Sequence, residues 1–152
     1  GLPADSSLPW VVDKLIEYGL KTRIKVMASG KMSTPSGVAA ALCLGADSVN
    51  TARGFMFALG CIQAMQCNKN TCPTGITTHD PKLQKGLDPE LKAVRVANYA
   101  RNLLHEVEVV AHSCGVVNPY ELGREHAYLV TANGLPQRLT DRYPNTARTV
   151  QS

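Results

Sequence analysis

Apolar residues recur with helical spacing in the first twenty positions of the chain. Between Ser7 and Gly19 they fall at positions 11, 12, 15, 16 and 18, which places them along one face of a helix. Ser7 is a residue type that caps helix N-termini, Pro9 suits an early helical position, and Gly19 is a common stop. The pattern therefore predicts a first helix from about Ser7 to Gly19.

The next thirty residues alternate between strand and helix patterns. Arg23–Ala28 predicts a short strand, which ends at Ser29-Gly30-Lys31. A second helix is predicted from a cap at Thr34 to Leu44, and a second strand from about Asp47 to Ala52. Helix, strand, helix, strand with short connections is typical of parallel βα units, so the expected fold class is α/β.

The second half of the chain has mainly helical patterns. A long helix is predicted from a cap at Asp88, with Pro89 first inside, to Ser113, because apolar residues form a broad stripe along it. Asn118 is the expected cap of a further short helix. Residues 133–152 are polar and lack periodicity, so we expect a flexible tail there.

Composition and charge argue against several classes of protein. At 152 residues, 44% hydrophobic and 18% charged, the chain has a globular composition and enough length for a core. Its net charge of +4 comes from scattered lysines and arginines, which argues against nucleic-acid binding. The longest nearly apolar run, Gly54–Ile62, is too short to cross a bilayer, and Gly1–Asp5 lacks the features of a signal peptide. Five cysteines in this spacing favour a reducing cytoplasm.

Three of these cysteines form the most informative motif. Cys61, Cys67 and Cys72 follow a C-x5-C-x4-C spacing, and proline follows Cys72. Thiolates are soft ligands that both iron–sulfur clusters and zinc prefer, and three so close along the chain can converge on one centre. Zinc would normally require a fourth ligand, for which His79 is the nearest candidate. Cys61 alone, at the end of an apolar run, also fits a buried core thiol.

Two loops at the predicted strand ends carry residue types that bind phosphate. Ser29-Gly30-Lys31 follows the first strand, and Ala52-Arg53-Gly54 follows the second. In α/β proteins ligands bind at the carboxyl ends of strands, where small residues expose backbone amides and a cation adds charge. Each glycine taken alone also fits a plain turn.

These motifs carry a resemblance to a known family. The runs 28–31, 45–47, 52–61 and 72–75, together with Cys67, are similar to the FMN-binding synthase domain of glutamate synthase. The resemblance covers roughly residues 1–130. It implies the closing βα units of a (β/α)8 (TIM) barrel plus a C-terminal helical extension, divided as 1–80 for the barrel units with the cysteine loop, 81–132 for the extension and 133–152 for the tail.

The resemblance also implies cofactors. It implies that a [3Fe–4S] cluster binds to Cys61, Cys67 and Cys72. It implies that FMN binds through two groups of residues, Ser29, Gly30 and Lys31 and then Ala52, Arg53 and Gly54. The large enzymes of the family often have Gly and Thr at the positions of Ala52 and Arg53, so this chain departs from them there. A contact through the backbone amide needs no particular side chain.

The activity that the resemblance implies for the intact enzyme is reductive formation of L-glutamate. FMNH2 delivers a hydride to 2-iminoglutarate, made from 2-oxoglutarate and ammonia, and the cluster relays electrons from ferredoxin or an NAD(P)H-linked subunit. The residues identify no catalytic acid or base, and we expect the rest of the barrel or another subunit to complete the fold. Two other hypotheses stay open: a non-catalytic cluster-binding, electron-transfer subunit, and a zinc-stapled structural fragment.

Overall fold

The computed structural model describes residues 1–144 and shows a chain of mixed helix and strand. Its α-helices are α1 (Ala4–Glu17), α2 (Pro35–Cys43), α3 (Ala52–Leu59), α4 (Pro81–Gln84), α5 (Pro89–Ser113) and α6 (Leu139–Arg142). Its strands are β1 (Met27–Ser29), β2 (Ser48–Asn50), β3 (Tyr128–Val130) and β4 (Pro136–Arg138). Single 3-10 turns lie at Cys67–Lys69, Pro119–Glu121 and Arg124–His126. The order of the first four elements confirms the predicted α/β class.

The described chain divides into two compact units. Unit 1 combines Gly1–Thr51 with the described part of His105–Ser152, and unit 2 is Ala52–Leu104. Unit 1 contains the strands and the main hydrophobic core, whereas unit 2 contains the three motif cysteines. The division of the chain at residues 80 and 132, which rests on the resemblance to a whole barrel, stays a prediction.

Strands β1 and β2 pair in parallel, with Met27 opposite Ser48 and Ser29 opposite Asn50. Helix α2 connects them, as a parallel pair requires a crossover rather than a tight turn. Each strand has three residues and is shorter than its predicted run. The carboxyl ends of the two strands therefore lie side by side.

Helix α2 begins and ends where the sequence predicts. The Thr34 hydroxyl accepts a hydrogen bond from the Gly37 amide at 3.3 Å, which satisfies one of the free amides of the first turn. The helix then buries small apolar side chains, whose size allows close packing against the rest of the core. The core of unit 1 unites α1, α2, β1 and the C-terminal part of α5 through a set of buried residues that includes Leu8, Val12, Ala28, Leu42, Val107, Ala111, Leu122 and Leu139.

Helix α1 begins earlier than predicted, at Ala4 rather than Ser7. The amides of Ser6 and Ser7 donate to the Pro3 carbonyl at 3.1 and 2.9 Å, so a backbone oxygen starts the helix and the Ser7 side chain does not cap it. Pro9 consequently lies inside the helix, where it is buried. The predicted cap at Ser7 was wrong. A serine shortly before a proline is typical of a helix start, but here the helix had already begun at the turn formed by Pro3.

The C-terminal part of unit 1 corrects the expected tail over residues 133–142. Strands β3 and β4 form an antiparallel pair, with Tyr128 opposite Arg138. Helix α6 follows directly, and its Leu139 is only 3% exposed because it packs in the core of unit 1. One buried apolar side chain thus anchors a stretch that has no periodicity. Residues 145–152 of the expected tail lie outside the described residues.

Helix α5 confirms the prediction for 88–113. Asp88 Oδ1 accepts hydrogen bonds from the amides of Glu90 at 3.0 Å and Leu91 at 3.2 Å. Asn118 likewise caps a short element, a single 3-10 turn, by accepting from the Tyr120 amide at 3.0 Å. Within residues 1–144, no helix combines the length and the apolar character needed to cross a membrane.

Candidate metal centre

The three motif cysteines line one cavity in unit 2, with a volume of about 300 Å³. Cys61 comes two residues after the end of α3, Cys67 begins a 3-10 turn, and Cys72 lies shortly beyond that turn. Cys67 is exposed, Cys61 is half-buried and Cys72 is buried. The spacing of the motif therefore brings three thiols to one space.

The remaining wall of this cavity is mostly apolar. Met56 and Phe57 of α3 and Met65 of the following loop contribute to it. Arg53, from the first turn of α3, is the one charged residue among the described residues that line the cavity. Phe57 and Met65 of this wall are themselves exposed, so the cavity is open to solvent on one side.

The loop that carries the cysteines has an unusual backbone. Among residues 1–144, four residues other than glycine have positive φ, and three of them lie in this loop: Gln63 at 56°, Met65 at 56° and Asn70 at 61°. Such conformations cost of order 1–3 kcal/mol each and persist only where the surroundings enforce them. Such conformations concentrate at functional sites.

A hydrogen-bond network holds the end of this loop. The Thr78 hydroxyl donates to the Asn70 carbonyl at 2.7 Å, and the His79 amide donates to Asn70 Oδ1 at 2.6 Å. The Asp80 amide donates to the Thr78 hydroxyl at 3.1 Å, and Gln84 Nε2 of α4 donates to the Thr78 carbonyl at 3.0 Å. These hydrogen bonds stabilise the left-handed conformation of Asn70. They also connect the segment that contains Cys72 to α4.

Cys72 has the most polarised sulfur of the motif. Its Sγ lies 3.3 Å from the Thr74 hydroxyl. Hydrogen bonding by the Thr74 side chain, followed by that of the Thr77 amide, lowers the pKa of the Cys72 thiol from 9.0 to about 6 despite the opposing effect of burial. The thiolate, which is the form that ligates metals, is therefore favoured at neutral pH. The sequence prediction did not include Thr74 or Thr77, although a threonine two residues after a cysteine is within reach of its sulfur.

Gly75 lets the chain pass close to α4 directly after Cys72. Its φ is +80°, and a Cβ at this position would overlap the Leu83 carbonyl oxygen and lie 3.1 Å from the Leu87 amide nitrogen. Only glycine meets both requirements without distortion.

The donor set fits a cluster bound by three thiolates. Three cysteines share one cavity, and one of them is disposed to ionise. Within residues 1–144, no three side chains of His, Cys, Asp or Glu stand close enough to hold a single metal ion.

The residues predicted to bind phosphate lie at the end of β1 and at the start of α3. Ser29, Gly30 and Lys31 leave the end of β1 and are exposed, with positive φ at Gly30 and Lys31. Ala52 and Arg53 open α3 and line the cysteine cavity, whereas Gly54 is buried. Pairing of Ser29 with Asn50 places the starts of the two loops at neighbouring strand ends.

Positive charge is concentrated in the cysteine-bearing unit. Residues 52–104 contain seven lysines and arginines against three aspartates and glutamates, a formal net charge of +4 that equals the net charge of the whole chain. Two of these cations approach the chain next to Cys61, since a Cβ on Gly60 would lie 2.9 Å from Lys92 Nζ and 3.8 Å from Arg95 Nη1. This charge would balance the negative charge that several thiolates bring.

Comparisons with known proteins indicate the family of the chain. The family model for the conserved region in glutamate synthase matches residues 1–117. The chain is 48% identical over 126 residues to the glutamate synthase large subunit-like protein YerD of Bacillus subtilis, which covers 83% of this chain and 24% of that protein. It is 37% identical over 116 residues to the archaeal glutamate synthase [NADPH] of Methanocaldococcus jannaschii, covering 76% and 23% of the two chains.

A third relative is also a glutamate synthase. The archaeal-type glutamate synthase [NADPH] of Thermotoga neapolitana is 34% identical over 116 residues, covering 76% of this chain and 23% of that protein. The chain thus spans about a quarter of the length of these curated relatives. No solved structure shows significant similarity to it. The family match over most of its length shows that the chain belongs to the glutamate synthase family.

Proposed function

We propose that this chain is part of a glutamate synthase-like iron–sulfur flavoprotein that forms L-glutamate from 2-oxoglutarate and ammonia. The observation that carries the proposal is the convergence of Cys61, Cys67 and Cys72 on one cavity in a chain of this family. Because the chain spans about a quarter of its relatives, the activity is that of the whole protein. Ferredoxin or an NAD(P)H-linked subunit is the proposed electron donor.

The three cysteines hold a [3Fe–4S] cluster in this proposal. Cys61, Cys67 and Cys72 would each supply one thiolate ligand to the cluster. Thr74 keeps the Cys72 sulfur ionised and oriented, and Arg53 supplies positive charge in an otherwise apolar wall. When bound, the cluster supplies one-electron transfer and FMN supplies hydride transfer.

FMN phosphate binds to the loops after β1 and β2 in the same proposal. Support comes from the parallel pairing of the two strands, the small residues Gly30 and Ala52, and the cation Lys31 that follows Gly30 in the sequence. Strands β1 and β2 are then the closing strands of a (β/α)8 barrel. Within residues 1–144 they pair only with each other, and Met27 of β1 is 66% exposed, as expected if further strands of the whole protein cover this sheet.

Anaerobic purification of the protein with assays for iron, acid-labile sulfide, zinc and FMN tests this function. We expect absorbance near ~400 nm, iron and sulfide in the ratio of the cluster, and released FMN. The variant Cys67→Ser removes the exposed ligand and should abolish iron binding, whereas Cys114→Ser, outside the cavity, should retain it. Zinc without sulfide in the wild-type protein, or full iron content in Cys67→Ser, would contradict the proposal.

A further inference from the structure

One face of helix α3 brings a cation to the cysteine cavity. Arg53, Met56 and Phe57 all line that cavity. They are three and four residues apart, which is the spacing of neighbours on one face of a helix. Phe55, from another side of α3, packs elsewhere in unit 2, where its ring meets the Tyr99 ring edge to face at a centroid distance of 5.1 Å. Arg53 therefore belongs to the cavity face of α3.

The C-terminal end of the same helix holds Cys61. The Cys61 amide donates to the Met56 carbonyl at 2.9 Å, and the Gly60 amide donates to the Phe57 carbonyl at 2.9 Å. Gly60 has a φ of +101°, and this pair of hydrogen bonds with a left-handed glycine is a common way to end a helix. Two hydrogen bonds thus fix Cys61 to the helix whose first turn carries Arg53.

No acidic side chain neutralises Arg53 in the part of the chain that the structure describes. Arg53 is the one charged residue among the described residues that line the cavity. None of the ion pairs within residues 1–144 includes it. Its full positive charge is therefore available to any negative group that the three cysteines hold.

We propose that Arg53 raises the reduction potential of the cluster bound by Cys61, Cys67 and Cys72, and that its side chain serves this cluster rather than the FMN phosphate. This inference rests on the proposed function, since it requires a cluster in the cavity. Arg53 ligates no iron and gives up no proton. It acts through its charge alone, while reduction adds a single electron from the donor protein to the cluster.

The physical reason is electrostatic. Reduction makes the cluster more negative, so a nearby cation stabilises the reduced form more than the oxidised form. Arg53 is exposed and the cavity is open on one side, so dissolved salt screens part of this interaction. The contribution of Arg53 should therefore decrease as the ionic strength rises, whereas an effect of side-chain shape would not.

The test compares four forms of the intact protein purified anaerobically: wild type, Arg53→Gln, Arg53→Lys and Arg101→Gln. Glutamine removes the charge, and lysine keeps it. Arg101→Gln is the matched control, because it makes the same change at an exposed arginine of unit 2 that does not line the cavity and donates to Asn98 Oδ1 at 2.6 Å. If Arg53→Gln accumulates without iron, Arg53→Met replaces it.

Two readouts report on Arg53 independently of activity. An electron paramagnetic resonance redox titration at low ionic strength should give a lower midpoint potential in Arg53→Gln and values close to wild type in Arg53→Lys and Arg101→Gln. The difference between Arg53→Gln and the wild type should shrink when salt is added. The amount of FMN released per chain should be the same in all four forms.

Equal midpoint potentials in Arg53→Gln and the wild type at low ionic strength would overturn the role of Arg53 while the cluster itself stands. A shift in Arg53→Lys as large as that in Arg53→Gln, or a shift that salt leaves unchanged, would also overturn it, because shape rather than charge would then be responsible. Loss of FMN from Arg53→Gln without a change in potential would assign the side chain to the phosphate instead. A wild-type protein with neither iron nor sulfide would overturn the proposed function and this inference together.

Discussion

At the scale of single residues, the chemistry of the site depends on what surrounds the Cys72 sulfur. Two threonines close in sequence polarise it, and burial alone would have had the opposite effect on its pKa. Cys61 and Cys67 share the cavity from more open positions. The three cysteines that look equivalent in the motif therefore differ in environment.

The pH dependence of Cys72 alkylation tests this environment in the metal-free protein. With a pKa of about 6, we expect half-maximal reaction with iodoacetamide near pH 6, followed by mass spectrometry of the Cys72 peptide. Thr74→Val should raise the pKa towards 9.0 and shift the profile to higher pH, and Thr71→Val should leave it in place. An identical profile for Thr74→Val and the wild type would show that the hydroxyl does not stabilise the thiolate.

The same pKa fixes the sign of its effect on stability. Because the folded pKa of about 6 lies below the unfolded value of 9.0, ionisation of Cys72 stabilises the folded metal-free chain. The contribution is complete above about pH 9, decreases as the pH falls, and is lost below about pH 6. Urea unfolding over this range should show the loss in the wild type and a weaker loss in Thr74→Val.

Gly75 gives a second prediction at this scale. Gly75→Ala introduces a Cβ at a positive φ and against the Leu83 carbonyl, so we expect destabilisation and reduced iron content. Gly115→Ala is the matched control, because Gly115 has a similar φ of +83° but open space around its Cβ position. Unfolding curves should place Gly75→Ala roughly 1–3 kcal/mol below Gly115→Ala. Equal stability of the two variants would mean that the chain around Gly75 can shift to accommodate a Cβ without loss of unfolding free energy.

At the scale of elements, capped helices place the charged residues of unit 2. Helix α5 begins immediately after Asp88, and its first two turns carry Lys92 and Arg95 to the chain beside Gly60. In the same unit, Asp80 caps α4 by accepting from the Lys82 amide at 2.8 Å. Both caps could be predicted locally, because a carboxylate before proline and a helical pattern is a strong start signal.

Removal of the α5 cap tests the contribution of that element. Asp88→Ala leaves the Glu90 and Leu91 amides without their acceptor, and we expect a loss of about 1 kcal/mol in the free energy of unfolding. Asp88→Asn retains an acceptor oxygen and should lose much less. Circular dichroism during urea unfolding provides the measurement. A similar loss in both variants would assign the effect to charge at the helix N-terminus instead of the hydrogen bonds.

At the scale of the whole molecule, one buried arginine joins distant parts of unit 1. Arg124 is 4% exposed, and its guanidinium contacts Asp13 Oδ1 of α1 at 2.5 Å and the Tyr143 carbonyl at 2.9 Å. The positions that it joins are more than a hundred residues apart in sequence. No local pattern predicts such a contact, and the same holds for the hairpin of β3 and β4 that lies between Arg124 and Tyr143.

Substitution of Arg124 tests this long-range connection. Arg124→Met keeps much of the side-chain volume but leaves Asp13 and a carbonyl without their partner, so we expect a loss of roughly 3 kcal/mol in unfolding free energy. Lys14→Ala is the control, because its ion pair with Glu17 on the same helix is exposed and should contribute less than about 0.5 kcal/mol. Equal losses in the two variants would show that the Arg124 pair contributes no more than a surface pair.

Features that depend on neighbouring residues could be predicted from local sequence patterns. These include the α/β order, the caps of α2 and α5, and a cysteine spacing that brings three thiols to one cavity. Helix propensity, capping and short loop lengths act within a few residues, so they can be recognised in a single sequence. The family resemblance rests on the same local motifs, and the comparisons show it.

The tertiary structure controls which distant groups contact each other. It gave Thr77 a buried hydroxyl without a partner, placed Arg53 in the lining of the cysteine cavity, and started α1 at a backbone carbonyl instead of Ser7. It also anchored residues 133–142 through Leu139. Each of these outcomes depends on packing and solvent exclusion between separate segments, and a one-dimensional pattern contains no distance between such segments.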